Sequence, residues 1–152
     1  MIEFAKSIIG AFGAIAAQRS FSTVAFATDA AASEAMDTLD ALTFTGGRTN
    51  HAAAINTCRT SLETSTLSDR KNFLLLITDG NPSEPVSVPE AEAEAAAEVA
   101  KSGGVIIVPV MIKQAVSSYL QGISSDGTVL DASDFDDLVS LQATLMAQVE
   151  CQ

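Results

Sequence analysis

Residues Phe73–Gly80, with the sequence FLLLITDG, contain five consecutive apolar residues that stop at a threonine and an aspartate. The run is followed by Asn81–Ser83, which combines turn-prone asparagine, proline and serine. A short apolar run bounded by turn residues is typical of a strand buried on both faces, as in a parallel sheet. Asp79 is therefore predicted at the carboxyl end of this strand, where open α/β sheets bind their ligands.

A second polar cluster, Thr45–Asn50 (TGGRTN), lies earlier in the chain and is followed at once by the helix-prone His51–Ile55. Paired glycines allow a tight turn, and Thr49 then lies close to the start of a helix, where hydroxyls and anions are favoured. A loop hydroxyl and a strand-end carboxylate at one edge of a sheet have the oxygen chemistry of a hard-cation site.

These two motifs, in this order and with these flanks, resemble the von Willebrand factor type A domain, the family that includes the integrin inserted domain. The metal-ion-dependent adhesion site of that family uses an Asp-x-Ser-x-Ser loop, a threonine in a Gly-Gly-x-Thr-like loop and the aspartate of a Thr-Asp-Gly strand end. By motif, the resemblance assigns Thr49 to the second loop and Asp79 to the third. It implies a doubly wound, mostly parallel α/β sheet with helices on both faces, and a Mg²⁺ or Mn²⁺ ion at the site.

The resemblance covers essentially the whole chain. It places the first helix over Met1–Gln18, the second strand over Ser20–Thr28, a later strand over Val105–Met111 and the closing helix over Phe135–Cys151. No Asp-x-Ser-x-Ser sequence precedes the predicted first helix, and the family's first, central strand is missing with it. We expect that the sequence is incomplete at its amino terminus or that a partner supplies this strand, so that the domain is part of a larger protein or assembly.

Local signals predict further helix boundaries. Pro89 suits the first turn of a helix that runs through Lys101, because acidic residues follow it and Gly103–Gly104 can end it. A cluster of aspartates before the closing helix is predicted to suit the amino-terminal dipole of that helix: Asp131, Asp134, Asp136 and Asp137.

The composition predicts one compact domain over residues 1–152. A hydrophobic content of 47% with only 5% aromatic residues indicates a core built from alanine, valine, isoleucine and leucine. The formal charge of −11 argues against nucleic acid and anionic membrane surfaces as partners, because both attract clustered lysine and arginine.

The first residues allow two interpretations. Met1–Ala17 has the apolar middle and small-residue end of a signal peptide. An amphipathic helix is favoured, because the segment carries no net positive charge and its large apolar residues recur at helical spacing. No apolar segment approaches the ~20 residues that span a bilayer, so no membrane insertion is expected.

Two cysteines, Cys58 and Cys151, allow one bridge or two reduced thiols, and the sequence leaves both open. The resemblance likens Cys151 to the cysteine that closes extracellular members of the family.

The candidate residues also have simpler explanations. Asp79 and Gly80 could serve simply to end the strand in a turn, without binding a metal. Thr49 could likewise serve simply as the cap of the helix that follows it. His51, the single histidine, has no nucleophile motif around it and is predicted at an exposed helix start.

The resemblance implies a protein-binding adhesion module, extracellular or at the cell surface, rather than an enzyme. In this hypothesis an acidic residue of the protein partner completes the coordination of an Mg²⁺ or Mn²⁺ ion at Thr49 and Asp79. The alternative is a structural matrix or assembly module that uses the same fold without a metal. An aspartate-dependent phosphoryl-transfer enzyme is disfavoured, because neither Lys101 nor Lys113 is placed convincingly for it.

Overall fold

The computed structural model describes residues 6, 37, 39–41, 48–63, 71–112, 118–133, 137 and 140–145. Residues 140–145 are helical. The named elements alternate along the chain: α1 (His51–Glu63), β1 (Asn72–Thr78), α2 (Pro89–Ser102), β2 (Val105–Ile112), α3 (Ser118–Ile123) and β3 (Leu130–Ala132).

The three strands form a parallel sheet in the order β1-β2-β3. In β1 and β2, Asn72 pairs with Val105 and Thr78 with Met111. Parallel neighbours need a crossover connection, and α2 supplies it between β1 and β2. The predicted parallel pairing of these two strands is confirmed. All three strands end at the same edge of the sheet, called here the carboxyl edge.

One face of the sheet is covered by α1, α2 and α3. Alternate residues of the strands, among them Leu74 and Ile107, pack there against Ile55 of α1. The contribution of α2 is small side chains, namely Ala93, Ala96, Ala97 and Ala100, which are buried. Because alanine is small, it lets the helix backbone approach the sheet closely. This part of the core is built from aliphatic residues, as the composition predicted.

The opposite face buries the other alternating residues, such as Val108 and Val110, together with Leu130 of β3. Leu145 and Leu141, in helical residues 140–145, pack against this cluster. Helices therefore lie on both faces of the sheet, and the predicted α/β fold is confirmed. Burial on two faces explains why the strands have nearly continuous apolar sequences.

The predicted helix from Pro89 is confirmed and ends at Ser102, one residue beyond the prediction. Pro89 occupies its first turn, and the backbone N–H of Gly103 bonds to the carbonyl oxygens of the last turn. Gly104 then has a φ of 82°. A glycine is needed there because this region is costly for residues with a Cβ.

Replacing Gly104 with alanine should lower the free energy of unfolding by roughly 1–2 kcal/mol, the cost of a left-handed conformation. The matched control is Gly103→Ala, because Gly103 has a φ of −81° and an added Cβ would lie 3.4 Å from the nearest atom, the carbonyl oxygen of Ala100. Urea denaturation of both variants measures the difference. Equal effects at the two positions would contradict the backbone explanation.

Some predictions fall on residues outside the described ones. This holds for the strand over Ser20–Thr28 and for most of the helix over Met1–Gln18, of which Lys6 is helical and pairs with Asp40. The prediction for Asp131 is wrong: it lies in β3. Asp137 does precede helical residues 140–145.

No helix in the described part of the chain is long and apolar enough to cross a membrane.

Candidate functional site

The loop before α1 ends in a side-chain cap. The Oδ1 atom of Asn50 accepts a hydrogen bond from the backbone N–H of Ala53 at 2.8 Å, which is the geometry of a helix N-cap. Asn50 therefore has the capping role that the sequence left open for Thr49. The simpler explanation of Thr49 as the helix cap is wrong.

Replacing Asn50 with alanine should lower the free energy of unfolding by about 1 kcal/mol, because one backbone donor of α1 loses its partner. Asn50→Asp should retain most of the stability, since aspartate caps helices as well as asparagine does. Thermal or urea unfolding measures both. A neutral Asn50→Ala would show that the cap contributes nothing to stability.

The main chain of Thr49 binds the loop that follows β1. Its carbonyl oxygen accepts hydrogen bonds from the N–H groups of Ser83 and Glu84, at 2.8 and 3.0 Å. Its N–H donates to the Oγ atom of Ser83 at 3.0 Å. Arg48 adds an exposed ion pair with Glu84. The two loops predicted to carry the site are thus joined at the carboxyl edge by three hydrogen bonds of the Thr49 backbone, two to backbone N–H groups and one to a side chain.

Asp79 is the first residue after β1 and is exposed. The turn that it belongs to is closed by the preceding residue: the Oγ1 atom of Thr78 donates to the carbonyl oxygen of Gly80 at 2.7 Å. The structure therefore places Thr49 and Asp79 on contacting loops. Their joint coordination of one ion stays a prediction.

His51 is not exposed, and that prediction is wrong. The side chain is 3% exposed, and its Nδ1 and Nε2 atoms lie 3.0 Å from the Tyr119 hydroxyl and 3.1 Å from Thr78 Oγ1. Burial lowers the pKa of His51. The burial of His51 could have been predicted from the sequence, because His51 lies at helical spacing from the residues of α1 that face the core: Ile55, Cys58 and Leu62.

Cys58 is a free thiol in the structure and is half-buried on α1. Burial raises the pKa of this thiol. Of the two alternatives, the reduced form holds for Cys58, while Cys151 lies outside the described residues.

The donor set at the carboxyl edge fits a hard cation. Thr49 offers a hydroxyl and Asp79 a carboxylate, both at exposed positions, and Mg²⁺ is commonly held by one or two carboxylates with several waters. Within the described residues, no three His, Cys, Asp or Glu side chains converge as a metal-binding group. Thr49 and Asp79 thus stay candidate ligands within this part of the chain.

A family model for the von Willebrand factor type A domain matches residues 1–144. No curated protein matches the sequence significantly.

The fold is similar to that of proximal thread matrix protein 1 (PTMP1) from the mussel byssus, with a TM-score of 0.79 and 20% sequence identity over 96% of this chain and 41% of that one. A second structure, PTMP1 with a zinc-occupied MIDAS motif, gives a TM-score of 0.75 and 19% identity over the same shares. The chain spans less than half the length of these proteins, and at this identity the similarity shows the fold.

Proposed function

Because the chain belongs to the von Willebrand factor type A domain family, we propose that it is a non-enzymatic protein-binding module that engages its partner through a divalent cation at the carboxyl edge. One observation carries this proposal: the backbone of Thr49 is bonded to the loop that follows Asp79, so the two matching loops of the family's site lie against each other.

The side chain of Thr49 supports its assignment as a ligand. A threonine before a helix commonly serves as its cap, but here Asn50 has that role. The threonine at this position is therefore not required to start α1. Asp79 likewise lies exposed beyond the last residue of β1, where a carboxylate contributes little to packing.

Thr49 and Asp79 would hold an Mg²⁺ or Mn²⁺ ion through one hydroxyl and one carboxylate oxygen, with water completing the shell. A bound ion would offer a coordination position to an acidic residue of the protein partner. The proposed domain covers residues 1–152, and we place it outside the cell or at the cell surface as part of a larger assembly. The matrix proteins that share its fold support this placement.

A metal-independent matrix or assembly module is the second candidate. It is favoured by the small donor set, because no three His, Cys, Asp or Glu side chains converge within the described residues. The two candidate functions differ in one measurable property, because only the metal-dependent module should bind Mn²⁺.

Replacing Thr49 with alanine should weaken Mn²⁺ binding at least about tenfold, since even residues that only orient a metal ligand contribute 10–100-fold. Its effect on the free energy of unfolding should be small, because Thr49 does not cap α1. Electron paramagnetic resonance of free Mn²⁺ measures affinity, and urea denaturation measures stability.

The control is Asn50→Ala, which should show the opposite pattern: lower stability and unchanged Mn²⁺ affinity in the folded state. If neither the chain nor a longer form that carries an Asp-x-Ser-x-Ser loop binds Mn²⁺ at millimolar concentration, the metal-dependent function fails and the metal-independent module is the function that remains.

A further inference from the structure

We propose that His51 is a positioning residue that holds the turn carrying Asp79 in place against the loop carrying Thr49. The expectation that loss of His51 weakens metal binding rests on the function proposed above. The expectation that it loosens the turn does not, since it depends only on the contacts of the imidazole ring.

The hydrogen bonds of this buried cluster run in one direction. Thr78 Oγ1 has one hydrogen and donates it to the Gly80 carbonyl oxygen at 2.7 Å, so it must accept from His51 Nε2 at 3.1 Å. A neutral imidazole that donates from Nε2 must accept at Nδ1, and the Tyr119 hydroxyl donates to it at 3.0 Å. The chain of bonds therefore leads from Tyr119 through His51 and Thr78 to Gly80.

The surroundings enclose both rings of this chain of bonds, since His51 and Tyr119 are buried. Burial, with the nearby carboxylates of Glu90 and Glu94, raises the pKa of Tyr119. The two rings are also stacked, with centroids 5.9 Å apart and planes inclined by 12°. Tyr119 is 4% exposed, so the imidazole is fixed by α3 on one side and by β1 on the other.

The loop that carries Asp79, residues 79–84, is consequently held at both ends by residues 49–51 at the start of α1. His51 fixes the near end through Thr78, the residue directly before Asp79. Thr49 fixes the far end through Ser83 and Glu84. Removing the bond from His51 takes away the side-chain support of Thr78 at the near end, while the pairing of Thr78 with Met111 and the bonds of Thr49 to Ser83 and Glu84 remain.

The test compares three variants of the full chain. His51→Phe keeps a stacking ring but removes both hydrogen bonds. His51→Gln keeps a side-chain N–H donor that can reach Thr78. Tyr119→Phe removes a buried hydrogen bond of the same cluster without breaking the bond to the turn, and thus controls for a general loss of stability.

Two measurements are made on each variant. Amide hydrogen exchange by NMR reports on Gly80, whose N–H lies 3.3 Å from Thr78 Oγ1, and Mn²⁺ titration reports on the site. His51→Phe should accelerate exchange at Gly80 beyond the change in Tyr119→Phe and weaken Mn²⁺ binding about 10–100-fold. His51→Gln should restore both towards the unmodified chain.

The proposal is overturned if His51→Phe matches Tyr119→Phe in both measurements, because His51 then contributes only to general stability. If the unmodified chain binds no Mn²⁺, exchange at Gly80 alone decides the role of His51, and the proposed function is tested separately on a longer form that carries an Asp-x-Ser-x-Ser loop. Should His51→Phe not fold, His51→Leu removes the same two hydrogen bonds and leaves Thr78 intact, and exchange at Gly80 equal to that in Tyr119→Phe would also overturn the proposal.

Discussion

Replacing Asp79 with alanine should reduce the affinity of the chain for Mn²⁺ by more than ~100-fold, because it removes the charged ligand itself, and residues that only orient a ligand already contribute 10–100-fold. Unfolding stability should change little, since Asp79 is exposed and lies beyond the end of β1. Mn²⁺ titration and urea denaturation of the same samples measure both quantities.

Glu98→Gln is the matched control for Asp79→Ala. It removes one negative charge at an exposed position near the end of α2, where Glu98 pairs only with Lys101 among the ion pairs of the described residues. The variant should bind Mn²⁺ as the unmodified chain does, because exposed charges more than ~10 Å apart are largely screened by salt. Equal losses in both variants would show that Mn²⁺ senses the net charge of −11 rather than a site.

Replacing Ile55 with alanine should lower the free energy of unfolding by about 2–5 kcal/mol, the range for truncation of a fully buried aliphatic side chain. Ile55 is 0% exposed and packs on the core between α1 and the sheet. Such a loss is a large fraction of the ~5–15 kcal/mol stability of a typical domain. The urea midpoint should fall while the dependence of unfolding free energy on urea stays unchanged.

Asn56→Ala, at the next position of α1, is the control because Asn56 is exposed. It should change the free energy of unfolding by no more than about 0.5 kcal/mol. A loss below 1 kcal/mol in Ile55→Ala would contradict the packing of α1 onto the sheet. Because Thr49 lies just before α1, a partly detached helix should also weaken Mn²⁺ binding in Ile55→Ala.

Elements with a strong local pattern were predictable from the sequence. The apolar run Phe73–Ile77 lies within β1, Val105–Met111 within β2, and the helix from Pro89 ends within one residue of its predicted end. In each case the sequence next to the element also marks where it begins or ends, by a proline, a pair of glycines or a turn. The order of the two loop motifs likewise indicated which edge of the sheet to consider.

β3 was not predictable in the same way. It has three residues, Leu130–Ala132, and an aspartate at its centre. No periodicity can be read from so short a segment. It is a strand because β2 offers it a partner, with Leu130 opposite Val110, and the same pairing placed Asp131 in the sheet rather than at a helix start.

The sequence by itself determined the parallel α/β fold, the helix that begins at Pro89 and the identity of Thr49 and Asp79 as the candidate ligands. Only the tertiary structure decided that Asn50 caps α1, that Thr49 binds Ser83, and that His51 is buried between Tyr119 and Thr78. The physical reason is the range of the interactions. Helix and strand signals arise between residues a few positions apart, whereas the bonds of His51 join residues 27 and 68 positions away and become favourable only after packing has removed water from the polar atoms.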